Sequence, residues 1–86
     1  MNTNSIQTIS EDIESHGLEV KVTHGRKASQ IRVPSGQGGI WMTVRFDSGL
    51  TVTWWDGSKM VDKSFSRDDH KAGDLIWDLA IKFSKL

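Results

Sequence analysis

Asp68, Asp69 and His70 stand side by side and form the one cluster in this chain that acid–base chemistry or a bound cation would use. Two carboxylates and an imidazole are a plausible set for holding a metal ion or moving a proton. Helix-start electrostatics accounts for the aspartates equally well. Ser66 and Asp69 are spaced as a variant of a capping box, and Asp68 is favourable near the positive end of a helix. The other histidines, His16 and His24, are scattered and share no metal-ligand spacing with His70. No Ser-His-Asp or paired-carboxylate arrangement can be argued from spacing. The glycine-rich run at 35–39 lacks the Lys-Ser/Thr ending of a phosphate loop and reads as a connector. Arg26-Lys27-Ala28-Ser29 resembles a basic-directed kinase site at Ser29, in a pattern too short to build on. The expectation is a chain that is not an enzyme, with no catalytic residue, no metal and no cofactor.

Recognition is the other chemistry on offer. Four tryptophans and no tyrosine in 86 residues is a high count, and Trp and Arg are favoured interface anchors. Trp41, Trp55, Met60 and Arg45 fall where one surface of a sheet would gather them. Trp77 and Ile81 make a separate i,i+4 pair on the last helix, off its apolar stripe. These six are the candidate partner-binding residues. A basic group, Lys21, Arg26, Lys27 and Arg32, lies around the first hairpin, and residues 18–46 carry an excess of positive charge. With exposed Trp, the residues Arg26, Lys27 and Arg32 suggest the alternative of a single-stranded nucleic-acid platform, where bases stack beside a positive groove.

The elements that must position these residues are legible from period and turn chemistry. Residues 40–65 read as three antiparallel strands. Asp47-Ser48-Gly49 has the composition of a three-residue hairpin loop, with Gly49 expected in the left-handed position of a bulged turn. That loop sets Phe46 opposite Leu50, Val44 opposite Val52, Met42 opposite Trp54 and Trp41 opposite Trp55. Side chains alternate along a strand, so the first three pairs line a core face. Trp41, Trp55, Thr43, Thr53, Arg45 and Thr51 then share the other face. Asp56-Gly57 signals the next hairpin. A two- or four-residue loop places Val61 and Phe65 on the core side and Met60 outside, beside Trp55 or Thr53.

Before this block, Ile6, Ile9 and Ile13 form a short apolar stripe, predicting a helix over 5–16 with caps among residues 2–5 and a left-handed stop at Gly17. Residues 18–23 alternate as a half-buried strand. Residues 28–33 make a second strand, with Ile31 and Val33 inward and Pro34 terminating it or marking an edge. After the block, residues 66–86 read as a long helix whose core stripe is Ala72, Leu75, Ile76, Leu79, Ala80 and Phe83.

The helix–strands–helix order is similar in layout to that of double-stranded RNA-binding domains, which grip phosphates with lysines at the start of the last helix. Here Ser66-Arg67-Asp68-Asp69-His70-Lys71-Ala72 keeps only Lys71-Ala72 of that pattern, and two aspartates stand where phosphate would approach. No family is assigned on that layout.

Composition bounds the rest. The chain is long enough for one domain, residues 1–86, with one modest core. Formal net charge is zero, which argues against affinity dominated by phosphate neutralisation. Cysteine is absent, so disulfides and thiolate chemistry are excluded. No apolar run reaches transmembrane length and the polar opening is unlike a signal peptide, so a soluble cytoplasmic protein without membrane contact is expected. The reading is a single α+β domain: an antiparallel sheet of four or five strands with two helices on one face. Its expected role is non-enzymatic protein binding, including self-association as a homodimer, through the Trp-bearing sheet face. Small cysteine-free chains without a catalytic constellation are common among phage and mobile-element products that inhibit or redirect host machinery, and that class is included in the expectation.

Overall fold

Alternating strands and short turns leave little choice of topology. In the computed structural model, which describes residues 5–35 and 38–85, five strands follow one another as neighbours in a single antiparallel sheet. The order is α1 (Ile6–Glu14), β1 (Lys21–His24), β2 (Ser29–Pro34), β3 (Ile40–Phe46), β4 (Leu50–Trp55), β5 (Met60–Phe65) and α2 (His70–Ser84). The expected capping candidates at 2–4, residues 36 and 37 of the connector and residue 86 lie outside the described residues. No helix among the described residues is long and apolar enough to cross a membrane.

Each helix has a visible start. Ser5 caps α1, its hydroxyl accepting the Thr8 N–H at 3.1 Å, and Gly17 takes a φ of 85° beyond the helix end. This is the left-handed stop that glycine permits at low cost. The Asp69 carboxylate caps α2 by accepting the Lys71 N–H at 3.0 Å. The last helix therefore begins at His70 rather than near Ser66, and Ser66 contributes its carbonyl to the Asp69 N–H instead.

Both helices lie on one face of the sheet. Ile9 and Ile13 of α1 and Ala72, Ile76, Leu79 and Phe83 of α2 close over the inward residues of β2, β3 and β4. Ile31, Val33, Met42, Val44 and Val52 are wholly buried there. Burying such a side chain contributes about 1.5–3 kcal/mol, so this one layer holds most of the fold's apolar stabilisation. The fold is α+β, as the sequence pattern predicts.

The register matches as well: Phe46 faces Leu50, Val44 faces Val52 and Met42 faces Trp54. Trp55 faces Met60 across a four-residue loop, with Val61 and Phe65 inward. Besides the Trp41–Trp55 pair, which the ladder does not contain, two details differ from expectation. Gly49 is not left-handed; the positive-φ glycines are Gly17, Gly38 and Gly57. The turn is held instead by the Asp47 carboxylate, which accepts the Gly49 N–H at 2.9 Å. Glycine is needed at 49 for space, since a Cβ there would sit 3.0 Å from the Phe65 carbonyl oxygen. The first strand also differs. Hydrogen-bonded pairing starts at Lys21, and all four residues of β1 are exposed rather than half-buried. Leu18 and Val20 still pack against the core, ahead of the strand.

Gly49→Ala is expected to lower stability by about 1 kcal/mol in urea denaturation. Crowding against a neighbouring backbone costs about 1–3 kcal/mol, and the reduced freedom of the unfolded chain returns only about 0.4–1 kcal/mol. An unchanged midpoint would show that β5 yields freely at that position.

Candidate functional site

The face of the sheet turned away from the helices can be read row by row from the register. One row runs Lys21, Arg32, Thr43, Thr53, Asp62; the next runs Thr23, Gln30, Arg45, Thr51, Ser64. A third, at the far end, holds Pro34 with Ile40 and Trp55 with Met60. The face thus carries hydroxyl and amide groups in the middle, three cations on β1–β3, one carboxylate on β5 and an apolar end.

That apolar end is built by the β4–β5 turn. The Asp56 carboxylate accepts the Ser58 and Lys59 N–H groups at 2.8 and 3.0 Å and the Ser58 hydroxyl at 3.1 Å. These bonds hold its pKa below the usual 3.8, the backbone amides of Ser58 and Lys59 being the chief cause. Gly57, at φ 109°, completes the turn. Asp56 donates its N–H to the Lys59 carbonyl at 3.0 Å, so the next pair, Trp55 and Met60, occupies non-hydrogen-bonded positions, where opposed side chains approach most closely. Trp55 is 38% and Met60 47% exposed. Together with Ile40, Trp41, Ser35 and Gly39 they border a shallow depression of about 460 Å³.

Trp41 does not stand opposite Trp55 as a second outward indole. The ladder between β2 and β3 shifts at Pro34, which pairs with Ile40 while Val33 pairs with Met42. Trp41 is the extra residue. Proline has no N–H to give the ladder, and a bulge is a common way to accommodate it. The ring of Trp41 stacks on Phe83 of α2 with centroids 5.0 Å apart and planes 15° apart, and it packs against the core. It forms a partition at the sheet end, lining the depression beside Trp55 on one side. On the other it lines a larger cleft of about 860 Å³ shared with His16, Leu18 and Phe83.

The remaining candidates are dispersed. Arg45 lies on the open face opposite Thr51, four residues along β4 from Trp55, or roughly 13 Å. Its Nε is 3.4 Å from Asp47 Oδ2, which draws it toward the hairpin tip. Arg32 joins the open face beside Lys21. Arg26 and Lys27 sit exposed in the β1–β2 turn, at the end of the sheet opposite Trp55. Trp77 and Ile81 belong to α2, in the helix layer. Trp77 is 45% exposed and meets His16 edge-on, ring centroids 4.4 Å apart, while His16 Nδ1 lies 2.8 Å from the Asp12 carbonyl.

Asp68 and His70 are exposed on either side of the cap residue Asp69. Among the described residues no group of three or more His, Cys, Asp or Glu is placed to hold a metal ion. Asp62 and Ser64 share the outward parity of Met60, as the sequence pattern predicts, whereas sequence reasoning missed Ile40, Lys21, Thr23 and Gln30 as members of the open face. Counting outward positions across every strand from Ile31 would have found all but Ile40, which the bulge conceals.

Two measurements check this geometry. Trp41→Ala should cost about 1–3 kcal/mol by urea denaturation, because a partly buried stacked ring is lost. Trp55→Ala should cost less than about 1 kcal/mol, the range of a cross-strand pair. In the second, the Asp56 carboxyl should titrate by NMR below 3.8. A depressed folded pKa contributes stability that is present above the unfolded value and lost as pH falls through the folded one. The advantage of the wild type over Asp56→Asn is therefore full above about pH 4 and shrinks on further acidification.

No known protein family, curated protein or solved structure matches this chain.

Proposed function

We propose that the chain is a non-enzymatic protein-binding module that engages an acidic partner segment through the open face of its sheet. Ile40, Trp55 and Met60 act as the apolar anchor, and Lys21, Arg32 and Arg45 as the cationic flank. The observation that carries this reading is the one-sided cover. Both helices pack on the same face, while the opposite face presents an exposed Trp–Met pair at its end. Trp and Arg are the residues on which interface energy concentrates, and Arg32, flanked by Lys21 and Arg45 that already face Glu19 and Asp47, offers charge-assisted contacts to a negatively charged partner.

Nucleic acid is supported less well. Sequence-tolerant binding of single strands uses successive aromatic platforms beside a positive groove. With Trp41 turned onto Phe83, Trp55 is the aromatic that remains outward on this face, and Arg26 and Lys27 lie at the far end from it. Trp77 and Ile81, in the opposite layer, are not part of the proposed surface.

The test compares the wild type with Trp55→Ala/Met60→Ala. Both proteins should give the same circular dichroism spectrum. Affinity capture from the source cells, repeated with the purified partner, should show binding to the wild type that weakens with salt. In the double variant that binding should fall by about 2 kcal/mol or more, near thirtyfold in Kd. Equal binding by the double variant overturns the reading. So does saturable quenching of tryptophan fluorescence by a single-stranded oligonucleotide with a steep salt slope, which assigns the face to nucleic acid instead.

A further inference from the structure

The margin of the sheet at β1 carries a segment that is complementary to itself. Residues 18–22 read Leu-Glu-Val-Lys-Val. Leu18 and Val20 pack against the core, and Val22 stands opposite the buried Ile31, so three apolar side chains share the helix side. Glu19 and Lys21 share the other side, Oε2 and Nζ 4.0 Å apart, with side chains 67% and 68% exposed. Turned end for end about Val20, the segment meets a copy of itself with every contact matched. Val20 faces Val20, Leu18 faces Val22, and Glu19 faces Lys21 on both sides of the two-fold axis.

The backbone has the parity that this pairing needs. The Gly25 N–H donates to the Ala28 carbonyl at 2.9 Å. Peptide groups two residues apart point the same way in an antiparallel ladder, so Thr23 and Lys21 also aim theirs at β2. Val22 aims its own at the open margin, and Val20 would do the same if the strand were continued one residue back from Lys21. A pairing centred on Val20 uses those outward groups and places Glu19 and Lys21 at non-hydrogen-bonded positions, where opposed side chains come closest.

Two further observations select a second copy as the occupant. Val22 is 41% exposed on the helix side, because α1 lies against β2 and its cover stops short of β1; an adjoining copy would shield it. The other margin is built differently. β5 turns Lys63 to the helix side, opposite Val52, and an inward charge of that kind deters edge pairing. Formal net charge is zero, so two copies approach without long-range repulsion.

We propose that two copies of this chain pair antiparallel along residues 18–22, centred on Val20 and extending the start of β1, joining two five-stranded sheets into one with Glu19–Lys21 ion pairs flanking the axis. Such an interface is isologous and closed. It draws on Lys21, which also belongs to the cationic flank of the open face, and leaves the Ile40, Trp55 and Met60 anchor outside the pairing.

Sedimentation velocity of the full chain over a concentration series tests it. The wild type should form a reversible dimer. Glu19→Lys and Lys21→Glu each bring like charges into opposition and should weaken association roughly tenfold or more; both positions are exposed, so the fold is retained. An equimolar mixture of the two variants restores opposite charges at every contact and should recover the dimer. Val22→Pro removes an N–H aimed at the margin, outside the β1–β2 ladder, and should lower association with an unchanged circular dichroism spectrum. A wild type that stays monomeric throughout overturns the proposal. So does a dimer insensitive to both charge variants, a mixture that fails to associate, or a dimer lost only in Trp55→Ala/Met60→Ala.

Discussion

An antiparallel sheet has two faces, and this chain has helices for one of them. A nine-residue and a fifteen-residue helix supply apolar residues enough to seal the inward side of β2, β3 and β4. The seal thins toward both margins: Val22 on β1 is exposed and Phe65 on β5 is only half-buried. Everything chemically distinctive about the surface lies where that cover stops. The outward row of Trp55 and Met60, the cations of β1–β3 and the bare margin of β1 are all consequences of burying one side of a five-stranded sheet and not the other.

Much of this could be read in the sequence, because a two-residue period is a strong constraint once one face is buried. Alternation through 40–65 with two short turns identified the register, the inward residues and the outward positions of Trp55, Met60 and Arg45. The stripe from Ala72 to Phe83 identified the covering face of α2. At the β3–β4 hairpin the alignment was right for a different reason than expected. Any turn closing Phe46 on Leu50 gives the same pairing, whether a left-handed glycine or the Asp47 carboxylate shapes it. Burial was less legible than pairing. Residues 18–23 alternate as expected, yet β1 is exposed, since alternation says which side a residue faces and not whether a helix reaches that far.

Trp41 shows where the parity argument breaks. Counting outward from Met42 puts it beside Trp55, and that count assumes an uninterrupted ladder. Pro34 interrupts it from the neighbouring strand, and the extra residue swings onto Phe83. The sequence signal was a proline facing the start of a central strand, which matters to the strand across from it as much as to its own. One slipped position changes the ring's role, from a contact residue offered to a partner into a brace between sheet end and helix end. The cluster at 68–70 follows a similar logic on a smaller scale. The Asp69 carboxylate takes the Lys71 N–H, so the side chain best placed for chemistry serves the start of α2.

Lys63 gives the two margins unequal fates. Its ammonium hangs 5.5 Å from the Phe65 ring centre, on the side where a newly added strand would have to bury its own apolar residues. Had β5 been as receptive as β1, each molecule could add another at both ends, and a ribbon would grow without limit. On the proposed pairing a single receptive margin would end growth at the first addition, so that even a crowded solution would stop at pairs.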